Sequence, residues 1–149
     1  MGHKLPPVCS LEQLVKLKRS LPPIMQQCTW QLLYSTAHHG ISINTFYRNV
    51  SQVGITLLVV EDSQGRVCFV LFLWIDISLT QIFGALAPDT WRKSQFYYGM
   101  GDTFLFTFAP KFRKYDFTGE NNAIMLSDDK FIALGGGYLM IFMRTLSCV

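Results

Sequence analysis

The chain has 149 residues, enough for one domain at roughly 100–200 residues per domain and too few for a two-domain enzyme. Hydrophobic residues make up 50% of it and aromatics 14%, which excludes a largely disordered chain, while only 15% are charged and the polar coat is thin. Lys plus Arg number 13 against 10 Asp plus Glu, and the resulting +3 is too small an excess for a nucleic-acid footprint. The basic residues gather at Lys16, Lys18 and Arg19, at Arg92 and Lys93, and at Lys111, Arg113 and Lys114. Each group is short enough to read as a solvated face.

Ser10 with Gln13 forms a capping-box pattern ahead of Leu11, Leu14 and Val15, predicting a helix that ends near Ser20. Pro22-Pro23 blocks its continuation and predicts an extended segment leading into a first strand at Trp30, Leu32, Leu33 and Tyr34. His38-His39-Gly40 reads as a turn. Ser42 then caps a short helix whose Ile43, Phe46, Tyr47 and Val50 form one apolar stripe. Thr56 to Glu61 is strand-like, Asp62-Ser63-Gln64-Gly65 is turn chemistry, and the apolar run from Arg66 onward predicts the second arm of a hairpin. Beyond a polar loop at Trp91 to Gln95, strands are expected at Thr103 to Phe108, Lys111 to Phe117, Ala123 to Leu126, Phe131 to Leu134 and Tyr138 to Met143. Turns of hairpin length between most strands define an α+β domain, mostly antiparallel, with two or three packed helices. The alternating Phe104, Phe106, Phe108 and Phe112 read as core.

The run Val67 to Ala87 tests whether the chain enters a membrane. A spanning helix needs about 20 apolar residues, and Asp76, Ser78, Thr80 and Gln81 interrupt this one. A buried strand is the preferred reading, and membrane attachment follows only if the 67–82 run inserts. With no apolar leader at its N-terminus, the chain is expected in the cytoplasm, with Cys9, Cys28, Cys68 and Cys148 as free, mostly buried thiols.

No constellation of residues spells out a reaction. The cysteines lack metal-ligand spacing, His38 and His39 on a strand would face opposite ways, and neither Gly99-Met100-Gly101 nor Gly135-Gly136-Gly137 fits a phosphate-binding loop. No metal and no cofactor is expected. A hydrolase built from His39 with Asp102, Asp116 or Glu120 and Ser35 or Ser42 lacks a nucleophile-elbow motif.

Five separated motifs nevertheless share an order with a known family. Trp30-Gln31-Leu32-Leu33-Tyr34-Ser35-Thr36 with His39-Gly40-Ile41-Ser42 and Phe46-Tyr47 comes first, followed by Ile82-Phe83-Gly84-Ala85 with Trp91. Phe96 to Phe106 comes next, then Phe117-Thr118-Gly119-Glu120-Asn121 and Leu134-Gly135-Gly136-Gly137. Over about Leu11 to Gly137 the chain resembles a TLDc domain. The resemblance implies a two-sheet β-sandwich with a few peripheral helices, in proteins linked to protection against oxidative stress and without an accepted catalytic mechanism. It implies a protein partner, the cytosolic sector of the vacuolar proton-pumping ATPase, with no nucleic acid. It places the chain in the cytoplasm, at organelle membrane surfaces or in mitochondria. It also marks His39, Gly40, Gly99, Gly101, Asp102, Gly119, Glu120 and Asn121 as binding positions.

The chain departs from the family pattern in three places. Residues 68–81 form an anomalous apolar insertion where the family passes directly from the hairpin turn to the Phe-Gly-Ala strand. Residues 138–149 diverge and lack the family's closing motifs, which implies an incomplete sandwich with an unpaired edge. Met100 and Asp102 stand where the family commonly has Thr and Glu. The leading expectation is a single, non-enzymatic interaction domain over residues 1–149. The alternatives are a small hydrolase or peroxide-handling enzyme, and a membrane-attached or non-functional truncated product.

Overall fold

A computed structural model describes residues 9–62, 81–108, 110–136 and 141–144. Helix α1 (Leu11–Ser20) opens with the predicted capping box: Ser10 Oγ accepts the Gln13 amide and Gln13 Oε1 accepts the Ser10 amide. Lys18 and Arg19 occupy its last turn, where cations favour the helix dipole. Pro23 does not begin an extended segment. It occupies the first position of a one-turn helix, α2 (Pro23–Gln26), a place where its missing N–H is not needed.

Trp30 to Tyr34 is not a strand either. The segment pairs with no strand, and its apolar side chains divide between two cores, Trp30 with one and Leu33 and Tyr34 with the other. A single helical turn, α3 (Thr36–His39), replaces the predicted turn, and α4 (Ile43–Val50) follows, capped by Ser42 Oγ on the Thr45 amide.

Two antiparallel sheets follow. The first has the order β1 (Thr56–Asp62), β2 (Gln81–Ala87), β3 (Phe104–Thr107) and β4 (Arg113–Asp116). The second has the order β5 (Met125–Ser127), β6 (Phe131–Leu134) and β7 (Ile141–Arg144), and β7 overlaps the predicted 138–143 span at Ile141 to Met143. The hairpin partner of β1 is β2, from Thr56↔Ala87 to Asp62↔Gln81, and the part of the expected arm at residues 66–80 lies outside the described residues. The insertion, the nine-residue run Val67 to Ile75, Cys68 and Cys148 lie outside the described residues, except that Gln81 is the first residue of β2. Asp62 and Gln81 are register partners, so the chain between them leaves and returns at one rung of the ladder.

The central strands of the first sheet, β2 and β3, are covered on both faces, which matches their nearly continuous apolar sequences, whereas β4 is exposed. On one face Leu58, Phe83, Ala85, Ala87 and Leu105 meet the second sheet and α4 in a core that includes Trp91. On the other, Leu86, Phe104 and Phe106 pack under Leu17 and Leu21 at the end of α1, with Phe108 and Phe112 alongside. The predicted phenylalanine ladder is therefore core, with successive ring centroids 5.3–6.5 Å apart. Among the described residues no helix is long and apolar enough to cross a membrane.

Tyr47 ties α4 to the turn between β5 and β6 by donating to the Asp128 carbonyl at 2.7 Å. Burial pushes its phenol up to about 12 from the ordinary value of 10. A folded value above the unfolded one means the native state holds this proton more tightly. The stability it contributes is therefore complete below pH 10 and lost as pH rises toward 12. Tyr47→Phe is expected to cost about 1 kcal/mol at neutral pH and to flatten the alkaline loss, read by denaturant unfolding of both proteins across that range.

Candidate functional site

The segment after β2 is anchored by Trp91, which is 1% exposed, donates its indole N–H to Thr56 Oγ1 at 2.7 Å and meets Phe46 edge-on. From there a closed ring of hydrogen bonds sets the path of the chain. The Arg92 amide donates to the Tyr98 hydroxyl (3.2 Å), and Ser127 Oγ donates to the Arg92 carbonyl (2.8 Å). Because the Ser127 proton is thus used, Tyr98 is the donor in its 2.6 Å bond to Ser127 Oγ. Ser127 is fully buried. The Arg92 guanidinium lies 4.1 Å from the Tyr98 ring centre and pairs with Asp89 at 3.3 Å.

Backbone bonds extend this anchor along the free edge of β5. The Ser94 amide donates to the Ser127 carbonyl, and Tyr98 and Met125 exchange bonds of 2.8 and 2.7 Å. Ser94 Oγ closes a local turn by bonding both the amide and the carbonyl of Phe96. Gly99, at φ +116°, packs against Ile124 so closely that a Cβ would stand 2.9 Å from Ile124 Cγ2. Between these anchors the chain holds Phe96 (78% exposed), Tyr97 and Met100 (61% exposed) out to solvent.

Six of the predicted binding positions lie near this loop. Gly99, Gly101 and Asp102 form its end, and the Phe117 ring against Gly101 sets the Gly119, Glu120 and Asn121 turn beside them. Asn121 Oδ1 accepts the Ala123 amide at 2.9 Å, while Asp102 and Glu120 are exposed. His39 and Gly40 stand apart. His39 Nδ1 accepts the Ser35 amide at 3.0 Å, its ring stacks on Tyr34, and the Gly40 carbonyl accepts the Tyr34 hydroxyl at 2.6 Å. Among the described residues, no hydrogen bond, ion pair or ring contact joins His39 or Gly40 to the other six.

Phe96, Tyr97 and Met100 are not expected as contact residues from sequence, because apolar side chains there read as core. The signal that separates them is the turn chemistry around them, Ser94 before and Gly99 and Gly101 after. Among the described residues no group of three His, Cys, Asp or Glu comes together as a metal site.

Cys28 corrects the expectation of mostly buried thiols, for it is exposed after α2, with its thiol donating to the Ile24 carbonyl at 3.5 Å. Cys9 is half-buried, and burial, with the Glu61 carboxylate adding to it, pushes its thiol up. Brief alkylation of the folded chain, mapped by peptide mass spectrometry, is expected to label Cys28 several-fold faster than Cys9.

The architecture is an α+β domain of two antiparallel sheets with peripheral helices, and the Phe96–Met100 loop presents apolar side chains on its surface. The family model described as the TLDc domain matches residues 6–146, and the chain belongs to the TLDc domain family. It is 40% identical to oxidation resistance protein 1 of Xenopus laevis and 36% identical to that of Homo sapiens, each over 85% of this chain and 13% of the relative. It is 38% identical to nuclear receptor coactivator 7 of Gallus gallus, over 82% of this chain and 12% of that protein. The chain thus spans about an eighth of the length of these relatives.

Proposed function

We propose that the chain is a single protein-interaction domain without catalytic activity of its own, acting at the cytoplasmic side in resistance to oxidative stress. Its partner in this reading is the cytosolic sector of the vacuolar proton-pumping ATPase. The observation that carries it is the Phe96–Met100 loop. Two aromatics and a methionine exposed on a backbone fixed by hydrogen bonds have the composition of an interface hot spot, and the fixed backbone lowers the ordering cost of binding. The names of the oxidation resistance relatives support the stress context. The groups that the hydrolase alternative would use have local structural roles, His39 Nδ1 accepting the Ser35 amide and Ser42 Oγ the Thr45 amide.

Co-purification of pump subunits with the tagged chain tests this reading. The double variant Phe96→Ala/Met100→Ala is expected to lose at least about tenfold in capture, because each truncated hot-spot residue costs about 1–2 kcal/mol. Both side chains are exposed, so the unfolding midpoint should hold. Equal capture by the variant would remove the loop from the interface.

A further inference from the structure

Strand β4 is the last strand of its sheet, and all four of its residues, Arg113 to Asp116, are exposed. Its inner edge is occupied by β3 from Phe104↔Asp116 to Thr107↔Arg113, while its outer edge carries no strand among the described residues. Directly opposed residues share a face, so Tyr115 lies on the Leu105 side and Lys114 on the Phe106 side. Lys114 is already engaged, bonded to Asp116 at 2.7 Å and lying over the Phe104 ring. Arg113 and, two residues earlier, Lys111 are exposed, and among the described residues no carboxylate pairs with either.

We infer that the outer edge of β4 is a docking edge for an extended acidic segment, which adds to the sheet as a fifth strand with carboxylates at alternate positions facing Lys111 and Arg113. The backbone of an edge strand supplies ladder bonds to any extended chain. Charge decides which chain is accepted. A second copy of β4 running antiparallel would match at most Arg113 with Asp116 and leave Lys111 unanswered, whereas an acidic strand meets both Lys111 and Arg113, which have no carboxylate partner among the described residues. Tyr115, 37% exposed on the Arg113 face, offers an apolar contact two residues further along. The other end strand of the sheet, β1, finishes in Glu61 and Asp62 and would repel the same segment. Lys111 and Arg113 are not residues of the Phe96–Met100 loop, so substituting them tests the β4 edge while leaving the loop's own side chains intact.

The test uses the full chain and a fluorescent seven-residue peptide in which Val alternates with Glu, followed by anisotropy at low salt. Saturable binding is expected, with loss of at least tenfold in the Lys111→Glu/Arg113→Glu variant and little change in Lys18→Glu/Arg19→Glu, which makes the same change in net charge on α1. The same peptide N-methylated throughout keeps its charge but cannot form the ladder, and it should not bind. Circular dichroism of both variants should match the parent chain. Absence of binding, equal binding of the methylated peptide, or equal loss in the two charge variants would overturn the strand-addition edge.

Discussion

Gly84→Ala is expected to destabilise the domain by about 3 kcal/mol or more, which for a chain of this size lowers the thermal midpoint by roughly 6–12 °C. Gly84 is paired between Val59 and Phe106 in the middle of the sheet. A Cβ there would collide with the Leu58 carbonyl oxygen and stand 2.5 and 2.9 Å from atoms of the Phe106 ring. Phe106 is 2% exposed and held between Phe104 and Phe108, so its ring has nowhere to retreat. The carbonyl belongs to β1 and moves only if the ladder moves. Adding Phe106→Leu to Gly84→Ala should therefore recover only the part of the loss owed to the ring. Calorimetry of the two single variants and the double variant checks this. A midpoint unchanged in Gly84→Ala would show that the sheet is looser at this rung than its packing implies.

The second large effect is expected at Ser127. Ser127→Ala removes the acceptor of the Tyr98 hydroxyl and the donor to the Arg92 carbonyl at a fully buried position. Each orphaned group costs about 1–3 kcal/mol, and a total of about 2–4 kcal/mol follows. The loss should concentrate in the loop that carries Phe96, because the ring of bonds is what ties residues 92 and 98 together. Hydrogen exchange of residues 94–100 should accelerate more than exchange of β2 and β3, and capture of the partner should weaken although Phe96 and Met100 are intact. Uniform acceleration across the chain would make Ser127 a general core residue with no special hold on the loop.

Much of the fold was legible because local chemistry and final structure agree. The Ser10–Gln13 box, the Ser42 cap and the Ile43 to Val50 stripe each specify a helix within a few residues, and α1 and α4 form where they point. The failures are places where distant contacts decide. Pro23 is as compatible with a helix start as with an extended segment, and only the structure distinguishes them. Trp30 and Leu33 are apolar because they enter different cores, not because they alternate on a strand. The partner of β1 is Gln81–Ala87, where Gly84 makes room for Phe106, and the turn chemistry at Asp62 to Gly65 does not by itself say where along the apolar run the paired arm lies. At the candidate site, the motifs Phe96 to Phe106 and Phe117 to Asn121 mark the loop and the following turn in the sequence, but not the outward direction of Phe96, Tyr97 and Met100, since composition reports that a residue is apolar and not which way it points.

In the proposed role this domain binds a protein through the Phe96–Met100 loop. Hydrogen-exchange mass spectrometry of the chain, with and without purified cytosolic sector of the vacuolar ATPase, tests that binding. Slowed exchange is expected in peptides covering residues 94–103, with Phe96→Ala/Met100→Ala abolishing the change. Saturating binding that leaves those peptides untouched, or no binding at all, would contradict it.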